Sequence, residues 1–269
     1  MGYAERIPDA SPLPPKYAAE ELADALSKVP RVTIVFWIVK ICATTLGETG
    51  GDALSMTLNL GYLTSTLIFL VFFLITLAAQ LGTRKYHPVW YWAVVVATTT
   101  VGTTTSDYLD RTLGLGYIKS SIILFCGVLV VLVVWHFATG RIRVDHVVSR
   151  KDESFYWVTI LVSNTLGTAL GDFVATDAGL GFEKGALVFS AAIALVAAAH
   201  YLTRIPKTVL FWAAYVLTRP LGATLGDTLT KPPALGGLNL SRITSSLVIA
   251  VLMVIIVAVT HRRQGAHAA

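Results

Sequence analysis

The chain has 269 residues, 55% of them hydrophobic and 14% charged, with a mean hydropathy of +0.68 and a formal charge of +5. A soluble domain carries roughly 25% charged residues, so this balance excludes an ordinary soluble domain and points to an all-α integral membrane protein. The excess of bases does not indicate nucleic acid, because much of it lies in short segments between apolar runs, where it sets orientation.

Residues 1–30 read as an N-terminal cytoplasmic or interfacial segment. It carries Glu5, Asp9 and a Pro-rich stretch and has no early apolar block, so it does not read as a cleavable signal. Residues 16–28 predict a short helix with Ala18, Leu22, Ala25 and Leu26 near one side, ended by Pro30. Such a helix would lie on the membrane surface; a mobile tail is the alternative.

Apolar stretches of span length then follow near 32–55, 61–82, 88–109, 117–138, 155–176, 185–203, 207–229 and 242–260. About 20 such residues cross a bilayer, so eight transmembrane helices are expected, with both termini on one side. That side holds fourteen bases, and the other holds five: Arg111, Lys119, Lys184, Lys231 and Arg242. The asymmetry places both termini in the cytoplasm, and the chain in a bacterial inner membrane. Cys42 and Cys126 fall inside apolar runs and read as small core residues.

Every second run ends in one phrase, Gly-x-x-x-(Gly/Ser)-Asp. The copies close at Asp52, Asp107, Asp172 and Asp227. Nine residues after the first three aspartates stand Gly61-Tyr62, Gly116-Tyr117 and Gly181-Phe182, and the fourth copy has Gly236-Gly237 there. The chain therefore reads as four parallel two-helix repeats, grouped into similar halves at 31–145 and 150–262. Parallel repeats put the four acids at one depth. At 1.5 Å per residue, a straight helix from Arg31 puts Asp52 ~30 Å away, in the outer half of the bilayer.

The small residues Gly47, Gly51, Gly102, Gly167, Gly171, Gly222 and Gly226 provide faces for close helix packing. Acids just beyond those faces would be carried inward to meet one another. Several buried carboxylates repel, and a divalent cation or protons would relieve them. Hard oxygen ligands suit magnesium, calcium or manganese. Glu48, four residues before Asp52, adds a fifth acid on the same face, where the other repeats have Thr103, Thr168 and Ala223. Lys40 and Arg219 are intramembrane bases two turns before Glu48 and Asp227, and are expected as counter-charges to the acids. The aspartates also have a plainer role, as helix-end caps facing water. Zinc-protease, phosphate-loop, nucleotide-binding and serine-hydrolase motifs are absent, so no enzyme and no tightly bound cofactor is expected.

The four phrases and the Gly-aromatic pairs, spread over about 31–262, resemble a bacterial membrane family of four tandem repeats of unknown function, whose members are described as uncharacterised membrane-anchored proteins. The resemblance implies a fold and no activity. Glu48-Thr49-Gly50-Gly51-Asp52 is also similar, by analogy only, to the Glu-x-Gly-Asp helices of manganese and calcium exchangers, with one extra residue here. The expected function is transport of a divalent cation, with Asp52, Asp107, Asp172, Asp227 and Glu48 as metal ligands and proton-driven export as one mode. A cation channel with an aspartate ring, and a membrane protein that binds a lipid or partner without transport, are the alternatives.

Overall fold

A computed structural model describes residues 28–30, 32–83, 85–140, 142 and 149–266. The helix expected over 16–28 lies outside the described residues, apart from Lys28. The described residues form eight α-helices and no strand: α1 (Ile34–Asp52), α2 (Tyr62–Gly82), α3 (Pro88–Asp107), α4 (Tyr117–Thr139), α5 (Arg150–Asp172), α6 (Phe182–Leu202), α7 (Lys207–Thr230) and α8 (Arg242–Ala266). Five segments are long and apolar enough to cross a membrane: Tyr62–Gly82, Tyr117–Thr139, Arg150–Asp177, Phe182–Leu202 and Arg242–His261.

The helices form two concentric sets. The odd-numbered helices make a closed inner ring in which α1 touches α3, α3 touches α5, α5 touches α7 and α7 returns to α1. The even-numbered helices lie outside. Each packs mainly on the inner helix of the following repeat: α2 on α3, α4 on α5, α6 on α7, and α8 back on α1. The repeats therefore interlock, and the last helix closes the circle on the first.

Composition explains the division. The outer helices bury few residues, such as Ser65, Phe73, Thr76 and Gln80 on α2, and turn Leu63, Leu67, Val71 and Leu74 outward. Thr76 on α2 and Ser120 on α4 bond to their own backbone, Thr76 Oγ1 donating to the carbonyl of Phe72 at 2.9 Å and Ser120 Oγ to that of Gly116 at 3.1 Å, so these two hydroxyls need no partner on a neighbouring helix. The inner helices need no apolar outer face, because the outer set covers them, so they carry threonines and charges.

Glycine closes the inner ring in the same way at every step. A Cβ added at Gly47 would overlap the side chain of Thr99, one at Gly167 that of Arg219, and one at Gly222 that of Thr44; at Gly102 it would stand 3.0 Å from the backbone of Asn164. A second tier repeats the contact one turn later. Gly51 meets Thr103 at 3.0 Å, Gly171 meets Ala223 at 3.2 Å, and Gly226 meets Glu48 at 2.8 Å. Backbones this close also exchange hydrogen bonds. Thr99 Oγ1 donates to the carbonyl of Ala43 (3.2 Å) and Thr44 Oγ1 to that of Thr218 (3.1 Å).

Asp52, Asp107 and Asp172 are each the last α-helical residue before a five-residue π-helical turn (Ala53–Thr57, Tyr108–Thr112 and Phe173–Asp177). The chain then reverses at glycines with positive φ: Gly61 (74°), Gly116 (73°) and Gly181 (77°). Their ψ values of 157–166° complete a conformation that only glycine adopts readily. The fourth repeat departs from this plan. Its helix runs on to Thr230, and a short 3₁₀ turn, Pro233–Leu235, follows. Asn239, at φ 54°, stands two residues before Ser241, just as Asn59 (φ 55°) stands two before Gly61. Ser241, and not Gly236, is thus the counterpart of the landmark glycines, and Arg242 occupies the place of the landmark aromatic. The fourth repeat carries five extra residues between its aspartate and its outer helix, which shifted the sequence alignment there.

Candidate cation site

Residues spaced by four along each inner helix face the axis in layers. From the N-terminal end of α1 these are Phe36, Lys40, Thr44, Glu48 and Asp52, all buried. The matching stripes are Tyr91, Val95, Thr99, Thr103 and Asp107 on α3, then Tyr156, Ile160, Asn164, Thr168 and Asp172 on α5, and Phe211, Tyr215, Arg219, Ala223 and Asp227 on α7. Residues four apart are neighbours on a helix face, so each side chain stands next to those of the layers above and below it.

The aspartate layer lies at the C-terminal end of the ring. Each of its four residues is at most 2% exposed. Two bases join them in pairs. Arg111 bridges Asp107 (3.1 Å) and Asp172 (3.2 Å), while Lys231 bridges Asp52 (2.7 Å) and Asp227 (3.2 Å). Both bases stand four residues after an aspartate, in repeats two and four. Arg242 approaches Asp52 at 3.5 Å. Tyr62 and Tyr117, from the Gly-Tyr landmarks, each accept a hydrogen bond from Arg111 at 3.2 Å. The two half-sites are therefore different: one is built on a guanidinium and two tyrosines, the other on an ammonium, with the Arg242 guanidinium 3.5 Å from Asp52.

Burial opposes the charge on Lys231, but the carboxylates of Asp227 and Asp52 outweigh it and hold the ammonium above the usual lysine range. Burial opposes the Arg111 charge in the same way, and Asp107 and Asp172 raise its basicity in return.

Arg219, two layers below the aspartates on α7, reaches up into the layer of Glu48. Its Nη2 donates to Glu48 Oε2 (3.0 Å), Thr103 Oγ1 (2.6 Å) and Thr168 Oγ1 (2.5 Å), which unites the layer of Glu48 across three helices. Glu48 also accepts from Thr103 Oγ1 at 3.3 Å. Arg219 thus stands where a counter-charge was expected. Lys40 does not reach the acids. Its Nζ lies 4.2 Å from the ring centroid of Tyr215 and has no hydrogen-bond partner among the described residues. Arg219, a turn closer on the neighbouring helix, fills the space between Lys40 and Glu48. Beyond Lys40 the axis is packed with aromatic side chains, and Tyr91 and Tyr156 share a hydroxyl contact at 3.0 Å.

Glu48, Asp52 and Asp227 each offer a carboxylate oxygen, and these oxygens lie within 4.8 Å of one another. All three residues are buried. Asp52 Oδ1 and both oxygens of Asp227 accept no hydrogen bond among the described residues. Asp107 and Asp172 are paired on Arg111, and Asp107 Oδ2 and Asp172 Oδ1 likewise accept no hydrogen bond among the described residues. Buried carboxylate oxygens without donors are costly, and a hard cation is a chemically suitable partner for such a set. Glu48 enters the group because Gly226 lets α7 approach its Cβ.

Sequence reasoning missed Arg111, Lys231 and Arg242, which it counted as loop bases on the non-cytoplasmic side. The signal that could have found the first two is the Asp-x-x-x-base spacing in alternate repeats. A polar cluster at the opposite end was also missed. There Lys28 pairs with Glu153 at 2.7 Å, and Gln80 Nε2 donates to the same carboxylate at 3.2 Å.

No curated protein and no solved structure matches this chain. The family profile described as Repeat of Unknown Function (DUF347) matches at residues 35–86, 90–141, 155–205 and 210–266, one match per repeat. With four matches spanning most of its length, the chain belongs to that four-repeat family.

Proposed function

We propose that this protein is a membrane transporter for a divalent metal cation, with all eight helices crossing the bilayer. Asp52, Asp107, Asp172 and Asp227 line its site, and Glu48 supplies a further ligand. The observation that carries the reading is the convergence of the buried Glu48, Asp52 and Asp227 carboxylates within 4.8 Å, with Asp52 Oδ1 and Asp227 Oδ2 in neither a hydrogen bond nor an ion pair among the described residues. Magnesium-, calcium- or manganese-like ions fit such hard oxygen donors. The outer helices present apolar side chains to lipid and shield the polar inner ring, so α1, α3 and α7 can span without being apolar themselves. The base distribution favours cytoplasmic termini in a bacterial inner membrane.

A carrier fits better than an aspartate-ring channel. Arg219 and the layers of Lys40, Tyr215 and the aromatic residues fill the axis below the acids, and conduction requires a continuous polar path. Export driven by proton entry suits carboxylates that alternate between metal and proton. A second reading rests on a specific observation as well. The bases Arg111, Lys231 and Arg219 already offset much of the acid charge, which is what a purely structural closure of the ring would need.

Flux decides between them. Proteoliposomes loaded with a manganese- or calcium-sensitive dye should report uptake with the wild type and a large loss with Asp52→Asn or Asp227→Asn. Absence of flux for any divalent ion, with or without a pH gradient, would leave the structural reading standing.

A further inference from the structure

Three bases reach the three-carboxylate group: Lys231 on Asp52 and Asp227, Arg219 on Glu48, and Arg242 at 3.5 Å from Asp52; Lys231 is the one that bridges two of the acids, and it differs in kind from the other bases of the ring. Arg111 is held by four groups, Asp107, Asp172, Tyr62 and Tyr117, and rides on a π-helical turn continuous with α3. Arg219 is fully buried in mid-helix. Lys231 is the first residue after α7, in extended conformation (φ −80°, ψ 159°), at the head of the loop that distinguishes repeat four. That loop carries the five extra residues. It is tied to the end of α7 by backbone hydrogen bonds from Leu238 to Thr228 (2.7 Å), Asn239 to Lys231 (2.9 Å) and Leu240 to Leu229 (2.8 Å). The Lys231 side chain is 9% exposed, against 30% for Arg111 and 26% for Arg242, so it is the most enclosed of the three bases at this end. Its Nζ lies between Asp52 and Asp227, two of the three residues whose oxygens converge, and only its contact with Asp52 is a hydrogen bond.

We propose that Lys231 is a tethered stand-in for the cargo: its ammonium occupies the place between Asp52 and Asp227 that a divalent cation takes, and its side chain swings out on a backbone held by the 231–241 loop when the cation enters. The inference rests on the transporter reading and adds the identity of the displaced group, the half-site used and a stoichiometry of one cation per chain. A lysine ammonium suits the role, being a compact charge on a flexible stem. The forked guanidinium of Arg111 holds the opposite half-site shut. Asp52 and Asp227 exchange one cation for another and are never left unpaired in the dry interior, where an unpaired charge is strongly unfavourable. The empty carrier, with its own cation in place, stays neutral enough to reset.

The test uses the full-length protein in detergent and in proteoliposomes, with Mn²⁺ as the probe. Lys231→Met removes the competitor, so Mn²⁺ affinity by titration calorimetry should rise about tenfold or more, at one ion per chain. Mn²⁺/Mn²⁺ exchange should persist while net downhill flux falls, because the empty variant leaves Asp227 without the base that pairs it and Asp52 with Arg242 at 3.5 Å. Lys231→Met should melt earlier than wild type without metal and gain more from added Mn²⁺, which separates loss of the stand-in from loss of the fold. Lys231→Arg should recover part of the net flux. Unchanged or weaker Mn²⁺ binding in Lys231→Met, or equal losses of exchange and net flux, overturns the proposal. If wild type binds no Mn²⁺ and Asp52→Asn changes nothing, the transporter reading itself has failed.

Discussion

Gly222→Ala and Gly50→Ala, one added methyl group each, separate packing from propensity. Both replace a mid-helix glycine with alanine, which by helix propensity alone stabilises by about 1 kcal/mol. At Gly50 the new Cβ meets nothing closer than 4.0 Å, from Ser246 Oγ and Thr100 Cγ2. At Gly222 it overlaps the Oγ1 and Cβ of Thr44 and stands 2.8 Å from that residue's backbone carbon. Thr44 cannot rotate out of the way, because its Cβ and backbone are in the overlap and its hydroxyl is bonded to the carbonyl of Thr218. The inner helices must separate, which loosens the Gly226–Glu48 contact one turn on. Overpacking of this kind costs about 1–3 kcal/mol and sometimes more. The expected result is a net loss of about 2 kcal/mol for Gly222→Ala, lowering Tm by about 4–8 °C, and no loss for Gly50→Ala. Differential scanning fluorimetry of the purified variants in one detergent provides the measurement. Equal Tm values for the two variants would refute the closed glycine-lined ring.

Arg219→Met leaves Glu48 buried without its base and should cost about 3–5 kcal/mol, whereas Arg219→Met with Glu48→Gln should recover much of that loss in a double-mutant cycle read by thermal melting. Gly116→Ala has open space around its Cβ, so its cost is purely conformational, about 1–3 kcal/mol; the same change at Gly82, which is equally open and has no positive φ, should cost less in the same melt. Glu153→Ala strands the buried Lys28 ammonium and removes an acceptor from Gln80. Its melting temperature should fall well below that of Glu153→Gln, which keeps an acceptor for Gln80, and equal melts would contradict the placement of this cluster.

The parts of the fold legible in the sequence are those that repeat strictly. The phrase places a small residue five and one positions before each aspartate, and both tiers of inter-helix contact use those positions. The meeting of the four aspartates follows from the same regularity, since equivalent helices in a closed ring aim equivalent residues at one axis. Packing order was not legible. Each outer helix sits on the following repeat, and nothing in its evenly apolar sequence says which neighbour it covers. The fourth landmark was misplaced because counting nine residues from Asp227 ignores the five extra residues, which only the positive φ of Asn239 reveals. Arg111 and Lys231 looked like loop bases, since the polarity that marks a membrane edge also marks a paired site near that edge. Lys40 was expected beside the acids from helical spacing alone, but Arg219 from the adjacent helix occupies the intervening layer.

Electron paramagnetic resonance of Mn²⁺ added to the purified full-length protein tests the central claim most directly. The account predicts that the sharp six-line spectrum of hydrated Mn²⁺ is lost up to one equivalent and returns when both Asp52 and Asp227 are replaced by asparagine. A hydrated spectrum at full intensity from the first addition, in the wild type, would contradict it.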